Sequence, residues 1–171
     1  MSPQHTEFVK RNEQYVASFG DKGNLAIPPA KKLIIVTCMD ARLDPAAHLG
    51  IKEGDAHVIR NAGGVAKDEL RSLIISQRLL GTREIAVFHH TDCGMLTFVS
   101  DDVRSIVKDA SKGDANVAAK VDAIDFLEFK NLEESVKEDV AWVKSDPLIL
   151  PETTVTGWIY DVKSGKVSQI V

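Results

Sequence analysis

A chain of 171 residues, 44% hydrophobic and 27% charged, has the composition of one folded domain and not of a disordered segment. Its net charge of −4 lacks the basic footprint of a nucleic-acid binder. Its longest apolar runs, residues 33–36 and 85–88, are far too short to cross a bilayer. The opening MSPQHTEFVKRNEQ is polar, without the apolar stretch of a signal peptide, so a cytosolic address is expected. The two cysteines, Cys38 and Cys93, are then not expected to form a structural disulfide.

In chain order, residues 2–19 carry Phe8, Val9, Tyr15, Val16 and Phe19 at the spacing of an amphipathic helix. Residues 20–23 break it, and Pro28-Pro29 imposes an extended approach to the first strand. That strand, residues 33–37 (LIIVT), is a continuous apolar, β-branched run, which reads as buried. It leads into Cys38-Met39-Asp40-Ala41-Arg42. A second strand at 57–60 ends in Asn61-Ala62-Gly63-Gly64. A helix is expected over 67–80, stopped by Gly81. A third strand, 84–89, ends in His90-Thr91-Asp92-Cys93-Gly94. Helical patterning returns after Thr97. Residues 116–145 read as two helices, with Leu132, Val136, Val140 and Val143 on one face of the second. A fourth strand at 153–160 and a turn at 163–166 precede a last, antiparallel strand.

Alternating strands and helices predict an α/β domain: a central, mostly parallel sheet of about five strands with an antiparallel edge, flanked by helices on both faces. Residues 1–31 read as an N-terminal helical arm and 32–171 as the α/β body. Ligands of such sheets bind beyond the carboxyl ends of the strands, and all three unusual motifs fall there.

Two residues separate His90 from Cys93, so one tight turn can present both to a single ion, with Cys38 arriving from another strand end. Two thiolates and an imidazole suit tetrahedral zinc with one open position, and thiolates argue against magnesium or calcium. Two readings compete: buried thiols acting as small hydrophobes, and a dithiol redox pair, which ordinarily sits in one C-x-x-C motif. Asp40 beside such a metal has two jobs open to it, filling the fourth position or accepting a proton from bound water. Arg42 can pair with it and keep it ionised; the plain alternative is a surface salt bridge. Strand alternation points His89 away from His90, which marks His89 as a packed or hydrogen-bonded neighbour. His5, His48 and His57 have no partner motif and read as structural or surface residues. The Asn61–Gly64 segment lacks the pattern of a phosphate loop. Its glycines permit a tight turn, with backbone N–H groups available to a small anion.

The motifs C-M-D-A-R at 38–42, R-N-A-G-G at 60–64 and H-H-T-D-C-G-M at 89–95, in that order, resemble the β-class carbonic anhydrases, and most closely their short branch. The resemblance extends through G-W-I-Y-D-V-K-S-G at 157–165. It implies one zinc per chain on Cys38, His90 and Cys93, with Asp40 as a switchable fourth ligand paired to Arg42. It further implies that Arg60 ties the Asn61 loop to the Asp-Arg region, and that Asn61, Ala62, Gly63 and Gly94 border the substrate. The expected reaction is hydration of CO2 to bicarbonate, zinc lowering the pKa of a bound water to about 7. The same branch contains carbonyl sulfide and carbon disulfide hydrolases with the same ligands. A non-catalytic zinc protein, with Asp40 closing the site, is the third reading. The resemblance also implies a homodimer or dimer of dimers, with the N-terminal helix reaching a partner subunit. Ala41 departs from the serine common at that position, and no glutamine and aromatic pair of the plant-type pocket is evident.

Overall fold

The computed structural model describes residues 3–171. Five strands form one sheet: β1 (Leu33–Cys38), β2 (Ala56–Asn61), β3 (Glu84–His90), β4 (Thr154–Tyr160) and β5 (Val167–Gln169). Their order is β2-β1-β3-β4-β5, with β5 alone antiparallel. The helices are α1 (Phe8–Ala17), α2 (Pro45–Leu49), α3 (Leu70–Leu80), α4 (Ser100–Ala110), α5 (Ala115–Asp122) and α6 (Leu132–Ser145). The helix expected over 67–80 begins as a 3-10 turn, Ala66–Glu69, before α3, and the N-terminal helix likewise starts with a 3-10 turn, Gln4–Glu7.

Alternation along β1 and β3 sorts the core into two faces. Ile34, Val36, Ile85 and Val87 meet Leu73 of α3 and Val140 and Val143 of α6. Gly157 of β4 permits that contact, since a Cβ there would stand 2.5 Å from Val136 of α6. Ile35, Ala86 and Phe88 face the other way, joined by Leu33, Leu49, Ile51 and Trp158.

Helices lie on both faces as expected, but the coverage is uneven. Crossovers between parallel strands are right-handed. The step from β1 to β2 runs opposite to the steps from β2 to β3 and from β3 to β4, so α2 alone falls on the second face. With five residues it covers little. A groove of about 370 Å³ stays open there, floored by Ile35, Ala86, Phe88 and Trp158. Helix α1 has no buried residue and does not close it.

Candidate metal centre

The chain steps outward from β1 to β2 and then back past β1 to β3, and this reversal of strand order leaves a crevice at the carboxyl ends of the parallel pair β1 and β3, the usual ligand site of such sheets. Cys38 ends β1 and His90 ends β3. Between His90 and Cys93 the chain reverses through Asp92, whose φ of 56° is left-handed. Aspartate tolerates that conformation better than most residues. The turn brings Cys93 back, and one ligand atom from each of Cys38, His90 and Cys93 lies within 4.8 Å of the others, all three residues buried.

Hydrogen bonding prepares these groups for a cation. His90 Nδ1 lies 2.9 Å from the Thr91 carbonyl, so it carries the proton. Nε2 is left as a buried nitrogen with no hydrogen-bond partner. A buried polar atom without a partner is costly, and one aimed at two sulfurs fits a thiolate- and imidazole-binding metal. Two thiolates so close repel, so the two thiols are driven apart in pKa. Cys38 is the one held well below the usual thiol range, first by the Cys93 thiol, then by His90 and by the backbone N–H groups of Asp40 and Gly63. Cys93 is pushed up by Cys38 and by burial. Burial lowers the His90 pKa, but Cys38, the Thr91 carbonyl and Asp40 together raise it further.

Asp40 lies with Oδ2 3.8 Å from His90 Nε2. Arg42 grips it through Nε to Oδ1 at 3.0 Å and Nη2 to Oδ2 at 2.7 Å, and the Arg42 backbone N–H adds a bond to Oδ1 at 2.9 Å. The guanidinium holds the carboxyl well below the usual carboxylate range. Arg42 is itself fixed by Asp92, through Nη1 to Oδ2 at 2.7 Å and Nη2 to the carbonyl at 2.9 Å. Arg60 donates to the carbonyls of Cys38 (3.0 Å) and Asp40 (2.7 Å), bracing the backbone between them.

A cavity of about 530 Å³ opens over the thiols, bordered by Ala62, Gly63 and Gly94 and walled by Met95, Phe98 and Phe126. Asn61 does not border it. Its amide closes the loop on Val65, donating to the carbonyl and accepting from the N–H, both at 2.8 Å. Sequence reading missed Asp92 as the second anchor of Arg42; a short polar residue inside a ligand-bearing turn was the available signal. It also missed the walls: Met95, which closes the 89–95 motif but was given no role there, and Phe98 and Phe126, which belong to no motif. His89 points away from the trio, as alternation requires, and is buried against Ser135 and Asp139.

Residues 33–167, from the first strand into the last, match the sequence model of the carbonic anhydrase family. Beta-carbonic anhydrase 1 of Mycobacterium tuberculosis is 43% identical over 96% of each chain. The chain belongs to the β-carbonic anhydrase family. The structure of a carbonic anhydrase from Glaciozyma antarctica superposes with a TM-score of 0.91 at 57% identity, over 95% of each chain. A carbon disulfide hydrolase of Saccharolobus solfataricus is a more distant relative of this β-carbonic anhydrase family member, 33% identical over 94% of this chain and 85% of its own. The five-stranded sheet with its antiparallel edge is the architecture expected from the sequence.

Proposed function

We propose that the protein is a zinc carbonic anhydrase that hydrates CO2 to bicarbonate. The observation that carries this reading is the buried Cys38–His90–Cys93 trio, with its unpartnered Nε2, at the floor of an open cavity beside an ionised carboxylate. Zinc bound there supplies a Lewis acid that brings the pKa of a water to about 7, making a nucleophile at neutral pH. Thr91 holds Nδ1 and leaves Nε2 free toward the trio. The N–H groups of Asp40 and Gly63 stabilise charge on the Cys38 sulfur. Asp40, kept on Arg42, would stay off a bound metal, and its Oδ2, the oxygen nearest His90, can accept a hydrogen bond from a water beside the trio. The apolar wall of Met95, Phe98 and Phe126 admits a small linear molecule with little hydration.

That apolar wall also suits a sulfur-bearing substrate, and a carbon disulfide hydrolase is among the relatives. The higher identity to carbonic anhydrases favours CO2. The test is kcat/KM for CO2 hydration and for carbonyl sulfide hydrolysis on one zinc-loaded preparation. Efficient sulfide release with negligible CO2 hydration would overturn the first reading.

The working unit in this proposal is a cytosolic homodimer or dimer of dimers, with residues 1–31 as an arm. Support comes from the open groove on the second sheet face and from α1, whose Phe8 and Val9 are 59% and 79% exposed. Among the described residues, no helix is long and apolar enough to cross a membrane.

A further inference from the structure

One residue before His90, β3 carries a histidine that the proposed chemistry does not use. His89 is 1% exposed. Its Nδ1 lies 2.8 Å from Ser135 Oγ and its Nε2 3.1 Å from Asp139 Oδ2. Its ring stacks on Phe129 with centroids 5.1 Å apart. Asp139, on α6, is buried, and the same Oδ2 accepts the Ala66 N–H at 2.9 Å. A carboxylate in such a place is costly unless its partners are fixed. Here the partners are the strand that bears His90 and the far end of the Asn61 loop.

The loop lies against the metal trio. A Cβ on Gly64 would stand 2.8 Å from Cys38 N and 2.7 Å from the Phe88 carbonyl oxygen. The Met39 N–H donates to the Asn61 carbonyl at 2.7 Å, and Gly63 lines the same cavity as Cys38. A Cβ on Gly63 would meet, at 3.2 Å, the Phe129 ring that stacks on His89. One end of the loop is closed by the Asn61 amide on Val65, and Asp139 closes the next position, Ala66. The hydroxyl of Ser135 also lies 2.8 Å from the Leu132 carbonyl, so it serves the first turn of α6.

We propose that Asp139 and His89 are positioning residues that press the 61–66 loop against the Cys38 backbone, fixing the wall that Ala62 and Gly63 form in the cavity over the thiols. The proposal deepens the zinc reading of the trio and rests on it. Neither residue touches substrate or metal. They act through the loop, as outer partners of a metal site do when they orient its ligands.

The test uses the full-length protein, wild type and Asp139→Ala, Asp139→Asn and His89→Phe. It measures zinc affinity by chelator competition, amide hydrogen exchange of residues 61–66, and kcat and KM for CO2. A cavity of about 340 Å³ beside Asp139 lets water replace a truncated side chain. Asp139→Ala should weaken zinc affinity by about 10-fold and lower kcat/KM by a similar factor, with exchange in the loop faster and exchange in β1 unchanged. Asp139→Asn keeps an oxygen for the Ala66 N–H and should recover most of both. His89→Phe keeps the stack on Phe129, loses the contact to Asp139, and gives the same reading if Asp139→Ala does not fold. Unchanged loop exchange in the folded variants, or Asn no better than Ala, overturns the proposal. If the wild type fails to hydrate CO2, the reading of the reaction falls, while exchange and zinc affinity still decide the positioning role.

Discussion

Gly64→Ala is the substitution whose cost can be worked most directly from the structure. Gly64 has φ +75°, where a side chain costs roughly 1–2 kcal/mol. The added Cβ would also lie 2.7 Å from the Phe88 oxygen, 2.8 Å from Cys38 N and 2.8 Å from the Thr37 carbonyl carbon. All three are backbone atoms of central strands and cannot rotate away, so an overpacking cost of about 1–3 kcal/mol is added. The total, about 2–5 kcal/mol, lowers the melting temperature by roughly 4–20 °C in a domain of this size. Gly81 is the control: it has the same φ of +75° with nothing within 4 Å of its Cβ position. Gly81→Ala should therefore cost the strain alone, about 1–2 kcal/mol and roughly 2–8 °C. Thermal unfolding of both variants, zinc-loaded and zinc-stripped, is the assay, with zinc content measured alongside. The larger loss at Gly64 should persist without metal, and Gly64→Ala alone should also weaken zinc binding, since the displaced backbone is that of Cys38. Equal melting temperatures in the two variants would refute the claim that the loop is wedged between β1 and β3.

Cys38→Ser and Cys93→Ser should each lose zinc and activity together, because a hydroxyl is a far poorer zinc ligand than a thiolate. His90→Ala should lose the metal and His89→Ala retain it at reduced affinity; the reverse pattern in metal analysis would mean the wrong histidine was assigned. Arg42→Ala removes the group that holds Asp40 ionised and away from the trio, so activity should fall, most steeply on the acid side of its pH profile. The sign for stability comes from the lowered Asp40 pKa: its contribution is present above the ordinary value near 3.9 and is lost as pH falls toward the depressed one. The stability gap between wild type and Arg42→Ala should therefore narrow on acidification below about pH 4. Deleting residues 2–19 should weaken subunit assembly and expose apolar surface, read by mass in solution and dye binding; unchanged mass and melting would remove the arm from the interface.

Much of this protein is legible in short stretches of sequence. The runs LIIVT and EIAVFH declare buried strands because both faces of a central parallel strand are apolar, a local signal. The spacing of His90 and Cys93 declares a shared turn for the same reason, and alternation alone separates His89 from His90. What the chain does across distance was not legible. The order β2-β1-β3-β4-β5, which sets Cys38 and His90 at one crevice, depends on pairings between strands far apart in sequence. The thinly covered second face came from crossover handedness combined with that order. Asp92 found Arg42 across 50 positions, and Asp139 found both His89 and Ala66 from another helix. Aspartates are common on surfaces, and no periodicity marks the few that a fold buries against a donor. The sequence determined which side chains could hold a metal and on which strand ends they stood. Tertiary structure decided which backbone and carboxylate groups hold those side chains in place, because hydrogen bonds between distant segments exist only after the sheet has brought the segments together.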